Sequence, residues 1–240
     1  LSLYLWDSLP GRTFNQLIEK GNFRKKSHME GQAKRMLEDW RAQAKFRDFL
    51  LHWLEIDQND PPQKDRELFP KFDDQVVTDL RRSLIRYLDS AVWEERGNLD
   101  DLLQAREIPL SKKLAGYYGI KNLRDSNRTA FPLYPSGDLG RQGLFTHPYL
   151  LANYSYFNQT SPIHRGVFVS RKILGRHLRP PKEAISFKSS DFDPNWTMRQ
   201  KVTALTKPAN CMACHDLINA TGFLFEGYDA TGRLRKKDGG

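Results

Sequence analysis

Apolar residues recur every three or four positions over most of the first 120 residues, which is the spacing of one helix face. The strongest run extends over residues 29–54, and charged side chains fill the positions between its apolar residues. We expect one amphipathic helix here, or a broken pair of helices. Pro61 and Pro62 follow this run and exclude a continuation, because proline lacks the amide hydrogen and clashes with the preceding turn.

Further helices are predicted on both sides of this run. An early helix is predicted to begin near Pro10, and a regular apolar face predicts a longer one over residues 74–93. Two shorter helices are expected at residues 98–105 and 111–118. Together these elements predict an N-terminal helical bundle over residues 1–122.

The pattern changes after residue 120. Polar residues, prolines and glycines over residues 121–143 predict a loop or a domain junction, and residues 182–196 are expected to be irregular. Short helices are expected at residues 145–156, 166–174 and 198–205. The predicted fold class is therefore mainly α, with the bundle followed by a loop-rich helical domain over residues 123–240.

The only two cysteines of the chain lie three residues apart in the run Cys211-Met-Ala-Cys214-His215. This is the C-x-x-C-H pattern of covalent haem attachment. Two thiols on one helical turn reach the two vinyl groups at one edge of a porphyrin, and the histidine that follows points at the iron from the proximal side. The motif predicts one covalent haem c, anchored by Cys211 and Cys214, with His215 as the proximal iron ligand.

Other interpretations of the cysteine pair agree less well with the sequence. A disulfide between them would close a very short loop and would constrain the unfolded chain little. A structural zinc site needs four ligands, whereas the chain has no third cysteine and no histidine after His215. A thioredoxin-like dithiol belongs to a βαβ unit, but the chain before the motif predicts helices. Two unmodified cysteines stay open as an alternative.

A longer string follows the motif, with Gly222, Phe223, Glu226, Tyr228, Asp229, Gly232 and Arg235 at fixed spacings. It resembles a family of bacterial haem proteins abundant in planctomycetes, in which D-P-x-G-F-x-x-E-x-[FY]-D-x-x-G-x-x-R follows C-x-x-C-H. Residues 141–146 and 160–166 resemble that family's R-x-G-L-L-T and T-S-P-x-x-R-G strings, and residues 1–10 and 35–41 resemble its preceding domain.

The resemblance implies two domains of unknown function, 1592 over residues 1–122 and 1588 over residues 123–240. It also implies that the chain is a segment of a larger protein. The family's activity is not established, so the resemblance supports the haem and the architecture more than any reaction. One departure is Asn219-Ala220, where the family has Asp-Pro, and we expect it to alter a loop.

The second axial ligand of the iron is not evident from the motif, because no histidine or methionine follows His215. The distal position is therefore open, filled from upstream, or filled by another chain. The upstream candidates are His147, His164, His177 and Met198, with a surface or structural role as the alternative for each histidine. Two axial ligands favour electron transfer, whereas an open position would let peroxide or another small ligand bind.

Other residues after the motif are candidates for haem contacts. Phe223 and Tyr228 are predicted to wall the haem and to restrict water. Arg233 or Arg235 is predicted to pair with a haem propionate. The alternative for this segment is a turn held by hydrogen bonds from Asp229 to the backbone.

Composition narrows the choice of partners. Hydrophobic residues make up 39% of the chain and aromatic residues 12%, which excludes bulk disorder. The net charge is +9, but the basic residues are spread out and no nucleic-acid-binding signature accompanies them, so we expect no nucleic-acid partner. A solvated surface explains this charge equally well, although in a haem protein it favours an acidic redox partner or a larger membrane-associated complex.

The sequence thus predicts a c-type cytochrome domain or subunit that transfers electrons. Thioethers on C-x-x-C-H form outside the bacterial cytoplasmic membrane, so we expect a periplasmic or outward-facing location. No stretch approaches the roughly 20 apolar residues of a membrane span, so no transmembrane segment is expected. The alternatives are a peroxidase-like or oxidase-like haem enzyme with an open distal site and a structural subunit of a larger redox complex.

Overall fold

The computed structural model describes residues 1–21, 25–94, 97–120, 130–178 and 187–237, and in them it is mainly helical, as predicted. The helices are α1 (Ser2–Trp6), α2 (Arg12–Glu19), α3 (Lys26–Leu37), α4 (Trp40–Trp53), α5 (Asp74–Asp89), α6 (Leu99–Gln104), α7 (Lys112–Tyr117), α8 (Pro148–Asn153), α9 (Pro162–Phe168), α10 (Met198–Leu205) and α11 (Ala209–Phe223). The strands β1 (Glu107–Pro109) and β2 (Leu133–Pro135) pair antiparallel, with Ile108 opposite Tyr134.

The long apolar run over residues 29–54 forms the broken pair of helices α3 and α4. Asp39 lies between them in an extended conformation, and its carboxylate accepts a hydrogen bond from the Arg41 amide at 3.1 Å. This side chain satisfies one of the free amides at the start of α4, which is why a new helix begins there. Asp73 caps α5 in the same way through the Val76 amide at 2.8 Å.

Some predicted bounds differ from the structure for local reasons. Helix α9 begins at Pro162 rather than at residue 166, because Ser161 caps it and proline fits the first helical position. Strand β2 lies in the segment predicted as a loop, since its three residues are too few to give an alternating pattern. Part of that loop prediction, residues 121–129, and residues 182–186 of the irregular segment lie outside the described residues.

One large apolar core crosses the predicted domain boundary near residue 122. Leu54 of α4, Leu84 of α5 and Leu114 of α7 are fully buried in it together with Leu144 and Leu150. Helices α4, α5, α6 and α7 of the predicted bundle therefore share a core with the segment that follows them.

A smaller cluster ties the first helices together. It contains Trp6, Phe14, Met36 and Ala42, and the Trp6 indole N–H donates to the Met36 carbonyl at 2.8 Å. The Arg41 guanidinium lies 3.5 Å from the centre of the Trp6 ring, a cation–π contact that covers the outer face of this cluster.

In the part of the chain that the structure describes, no helix combines the length and the apolar character that crossing a membrane requires.

Helices α9 and α11 lie so close that their backbones touch. A Cβ atom built on Gly166 of α9 would lie 2.0 Å from the Ile218 carbonyl oxygen, and one built on Gly222 of α11 would lie 2.0 Å from the Pro162 carbonyl oxygen. The two contacts run in opposite directions along the helices, so α9 and α11 are antiparallel. Only glycine allows this approach at either position.

We expect Gly222→Ala to lower the free energy of unfolding by at least about 1–3 kcal/mol, because the α9 backbone must move away from the added methyl group. Urea denaturation followed by circular dichroism measures the change. The matched control is Gly31→Ala in α3, where no atom lies within 4 Å of the added Cβ. That variant should be neutral or more stable by about 0.5–1 kcal/mol. Equal effects at both glycines would contradict the close helix contact.

Candidate functional site

The C-x-x-C-H motif lies in the first turns of α11. Pro208 precedes this helix, and its carbonyl accepts hydrogen bonds from the Cys211 amide at 2.9 Å and the Met212 amide at 3.0 Å. Cys211 is half-buried and Cys214 is exposed, and both are free thiols. The two cysteines thus lie one helical turn apart, one of them exposed to solvent and the other partly so.

His215 is half-buried and is held by its neighbours on α11 and α10. Its Nδ1 lies 3.2 Å from Oδ1 of Asn219, four residues further along the helix. The Asn219 Nδ2 donates to Oγ1 of Thr206 at 2.8 Å, and the Thr206 hydroxyl donates to the Val202 carbonyl at 2.8 Å. The imidazole is thus tied through two side chains to the backbone of α10.

These residues fit a covalently attached haem. Both cysteines are at least partly exposed. In the part of the chain that the structure describes, the His215 ring forms its hydrogen bond through Nδ1, so Nε2 is the nitrogen left for an iron. A histidine that ligates a metal through one nitrogen usually donates its other ring N–H to a fixed acceptor, and Asn219 offers such an acceptor. Within the same residues, no three His, Cys, Asp or Glu side chains meet in a way that could hold a metal ion.

His147, the first predicted distal ligand, lies in the large core and not at a solvent-facing site. It is 1% exposed, its Nδ1 accepts a hydrogen bond from the Tyr149 amide at 3.3 Å, and its Nε2 lies 3.2 Å from the Ser83 hydroxyl. That hydroxyl donates to the Pro109 carbonyl, so its oxygen accepts from Nε2–H. Both ring nitrogens are engaged, which gives His147 the structural role and leaves neither nitrogen for iron.

His164 and Met198 lie beside the C-terminal half of α11. His164 is exposed on α9, between the two glycine contacts and more than one helical turn from His215. Met198 is buried at the start of α10, where the neighbouring Arg199 donates to the Phe223 carbonyl at 3.1 Å. Phe223 is eight residues, or about 12 Å of helix, beyond His215. The structure does not bring either candidate next to His215, and the identity of the distal ligand stays a prediction.

Of the residues predicted to contact the haem after the motif, Phe223 is the last residue of α11, and the other three lie in a turn beyond it. Asp229 holds this turn, because its carboxylate accepts hydrogen bonds from the Thr231 amide at 2.8 Å and the Arg233 amide at 2.9 Å. The Tyr228 hydroxyl donates to the Gly140 carbonyl at 2.6 Å. These are the contacts of the alternative that the sequence left open, a turn stabilised by its aspartate.

Two arginines of the turn have protein partners. Arg235 donates to the carboxylate and to the carbonyl of Glu226, both at 2.9 Å, so its guanidinium is engaged in a half-buried ion pair. Arg233 is exposed, with its guanidinium 5.3 Å from the centre of the Tyr117 ring. A propionate contact stays a prediction for Arg233, while Arg235 would have to leave Glu226 to make one.

Asn219 corrects an expectation drawn from the sequence. The departure at Asn219-Ala220 was expected to alter a loop, but both residues lie inside α11. Asn219 is 8% exposed and contacts His215 directly. The signal was present in the sequence, because residues four apart on a helix face the same side. In a helix over this segment, the side chains of His215 and Asn219 are neighbours.

Two family models match the chain. PSD4, a protein of unknown function (DUF1592), matches residues 1–120, and PSCyt3, a protein of unknown function (DUF1588), matches residues 141–238. The chain belongs to the DUF1592 family, and its C-terminal part matches the DUF1588 model. This confirms the resemblance found in the sequence. The C-x-x-C-H motif and the turn after it lie in the DUF1588 part, whereas the first seven helices form the DUF1592 part. No curated protein and no solved structure matches the chain.

The buried state of His147 predicts a pH dependence of stability. Burial, with a smaller effect of the nearby Arg141 charge, lowers the pKa of His147 from 6.5 to about 3. The unfolded chain takes up a proton below pH 6.5, whereas the folded chain does so only near pH 3. The free energy of unfolding should therefore fall as the pH drops from 6.5 towards 3, by up to about 1.4 kcal/mol per pH unit from this group.

Urea denaturation at pH 7, 5.5 and 4.5 measures this slope. Carboxylates also contribute to it, so the comparison is with His147→Asn, which has no titrating ring and should show a shallower loss of stability. The exposed His177 supplies the control, since His177→Asn should keep the wild-type slope. A wild-type slope in His147→Asn would show that this histidine is not held neutral by burial.

Proposed function

We propose that this chain is a c-type cytochrome domain that binds one haem covalently and transfers electrons. In this proposal Cys211 and Cys214 anchor the haem, and His215 is the proximal ligand through Nε2. The observation that carries the proposal is the geometry of α11, with two accessible thiols one turn apart and an imidazole whose Nδ1 is already hydrogen bonded.

When bound, the haem would supply an iron that gains and loses one electron. The residues of the chain would hold it in place. Two thioether bonds keep a haem attached even where much of it is exposed, which suits the exposed Cys214 and the half-buried His215. The pairing of α11 with α9 and α10 would keep the proximal imidazole fixed while the charge of the iron changes.

The location and the partner follow from this chemistry. Thioether attachment outside the bacterial cytoplasmic membrane supports a periplasmic or outward-facing site. The net charge of +9 supports an acidic redox protein as donor or acceptor, because opposite charges steer two proteins into contact. A larger membrane-associated complex could present such an acidic surface.

One observation favours a second candidate, a peroxidase-like or oxidase-like haem enzyme with an open distal site. Both ring nitrogens of His147, the first predicted distal ligand, are engaged by Ser83 and by the Tyr149 amide. An iron with only the proximal ligand would be able to bind a small molecule.

The first test is haem attachment to the full chain, produced in a bacterial periplasm that contains c-type haem maturation proteins. We expect one haem per chain that resists extraction into acidified organic solvent and gives a c-type pyridine haemochrome spectrum. The double variant Cys211→Ala, Cys214→Ala should lose the covalent haem, whereas His177→Asn should keep it. Wild-type chain that takes up zinc and no haem under these conditions would overturn the proposal.

Optical spectra of the holo chain then separate the two candidates. A low-spin ferric spectrum that cyanide and peroxide leave unchanged supports electron transfer, because both axial positions are filled. A high-spin ferric spectrum that changes rapidly with peroxide supports the enzyme.

A further inference from the structure

The hydrogen bonds around His215 have a direction that is fixed at one end. The Val202 carbonyl can only accept, so the Thr206 hydroxyl donates to it at 2.8 Å. A hydroxyl has one proton, so the Thr206 oxygen is left to accept from its other neighbour. That neighbour is the side-chain amide of Asn219, whose Nδ2 donates to Thr206 Oγ1 at 2.8 Å.

This direction determines the orientation of the Asn219 amide. With Nδ2 turned to Thr206, Oδ1 faces Nδ1 of His215 at 3.2 Å. An amide oxygen has no proton to donate, so the proton of this bond must sit on Nδ1 of the imidazole. A neutral imidazole with a proton on Nδ1 has its lone pair on Nε2, the nitrogen that can then bind a metal.

Burial protects this set of bonds from competition with water. Val202, Thr206 and Asn219 are 1%, 2% and 8% exposed, whereas His215 is half-buried at the surface of α11. The bonded groups therefore form a rigid support behind a ring whose other edge faces outward. Thr206 ends α10 and lies just before α11, so the support also links the two helices next to the motif.

We propose that Asn219, held by Thr206, is a positioning residue that selects Nε2 of His215 as the iron ligand and tunes the reduction potential of the iron. The inference rests on the proposed haem function. A neutral amide accepts a hydrogen bond from Nδ1–H but does not polarise it strongly. The imidazole is then an electron donor of intermediate strength towards the iron. A carboxylate at the same place would make the imidazole a stronger donor, and an apolar side chain would make it a weaker one.

The first experiment measures the reduction potential of the holo chain by redox titration. We expect Asn219→Asp to lower the potential relative to wild type, because the stronger donor stabilises ferric iron. Asn219→Leu should raise it, and Thr206→Val should shift it in the same direction as Asn219→Leu but less. Ala220→Ser, an exposed change next to Asn219 on α11, is the control and should keep the wild-type potential. A purely structural role would not give shifts of opposite sign for Asp and Leu.

A second experiment needs no haem and covers variants that fail to mature. The ¹⁵N chemical shifts of the His215 ring in the full chain without haem report which nitrogen carries the proton at neutral pH. We expect the Nδ1–H tautomer in wild type and a shift towards the Nε2–H tautomer in Asn219→Leu. A predominantly Nε2–H ring in the wild-type chain would overturn the inference.

The two proposals fail in different ways. Covalent haem in every variant, with unchanged potentials in Asn219→Asp and Asn219→Leu, would overturn the role of Asn219 and leave the proposed function standing. A wild-type chain without covalent haem would overturn the proposed function and, with it, the tuning of a potential.

Discussion

Helices α9 and α11 are in backbone contact at Gly166 and Gly222, and the candidate site depends on this contact because α11 carries the whole C-x-x-C-H motif. At such a short distance the two helices cannot slide or rotate without overlap of main-chain atoms. The C-terminal half of α11 is thereby fixed relative to α9. Separate polar contacts then hold the turn after α11 and the side of α11 that contacts α10.

Arg165 of α9 secures the C-terminal end. Its guanidinium is 2% exposed and donates to carbonyls of the turn that follows α11, at 2.8 Å to Phe225, 3.1 Å to Tyr228 and 2.8 Å to Asp229. Burial lowers the pKa of Arg165 to about 10, partly offset by Glu226 at 3.6 Å, so the side chain stays charged at neutral pH. Burying a charge costs free energy, and the partners of Arg165 offset that cost without a large net gain in stability. The contacts therefore specify where the turn docks more than they add stability.

The elements of the fold could be predicted where the information is local. The apolar spacing of residues 74–93 and the capping aspartate before α4 depend on neighbours within a few residues. The C-x-x-C-H spacing was equally local, and it located the candidate site. The roles of Gly166, Arg165 and His147 were not predictable, because each depends on a partner more than 50 residues away in the chain or on burial in a shared core.

Under the proposed function, this division between local and distant information has a physical basis. Thioethers from Cys211 and Cys214 would retain the haem whatever the depth of its pocket, so the rest of the fold need not enclose it. What the fold must supply is one imidazole in a fixed tautomer at a fixed angle. That requirement involves α10 through Thr206, α11 through Asn219 and α9 through its contact with Gly222. The short motif can therefore identify where a haem would be attached. Residues outside the motif would set the tautomer and the orientation of the imidazole that holds its iron.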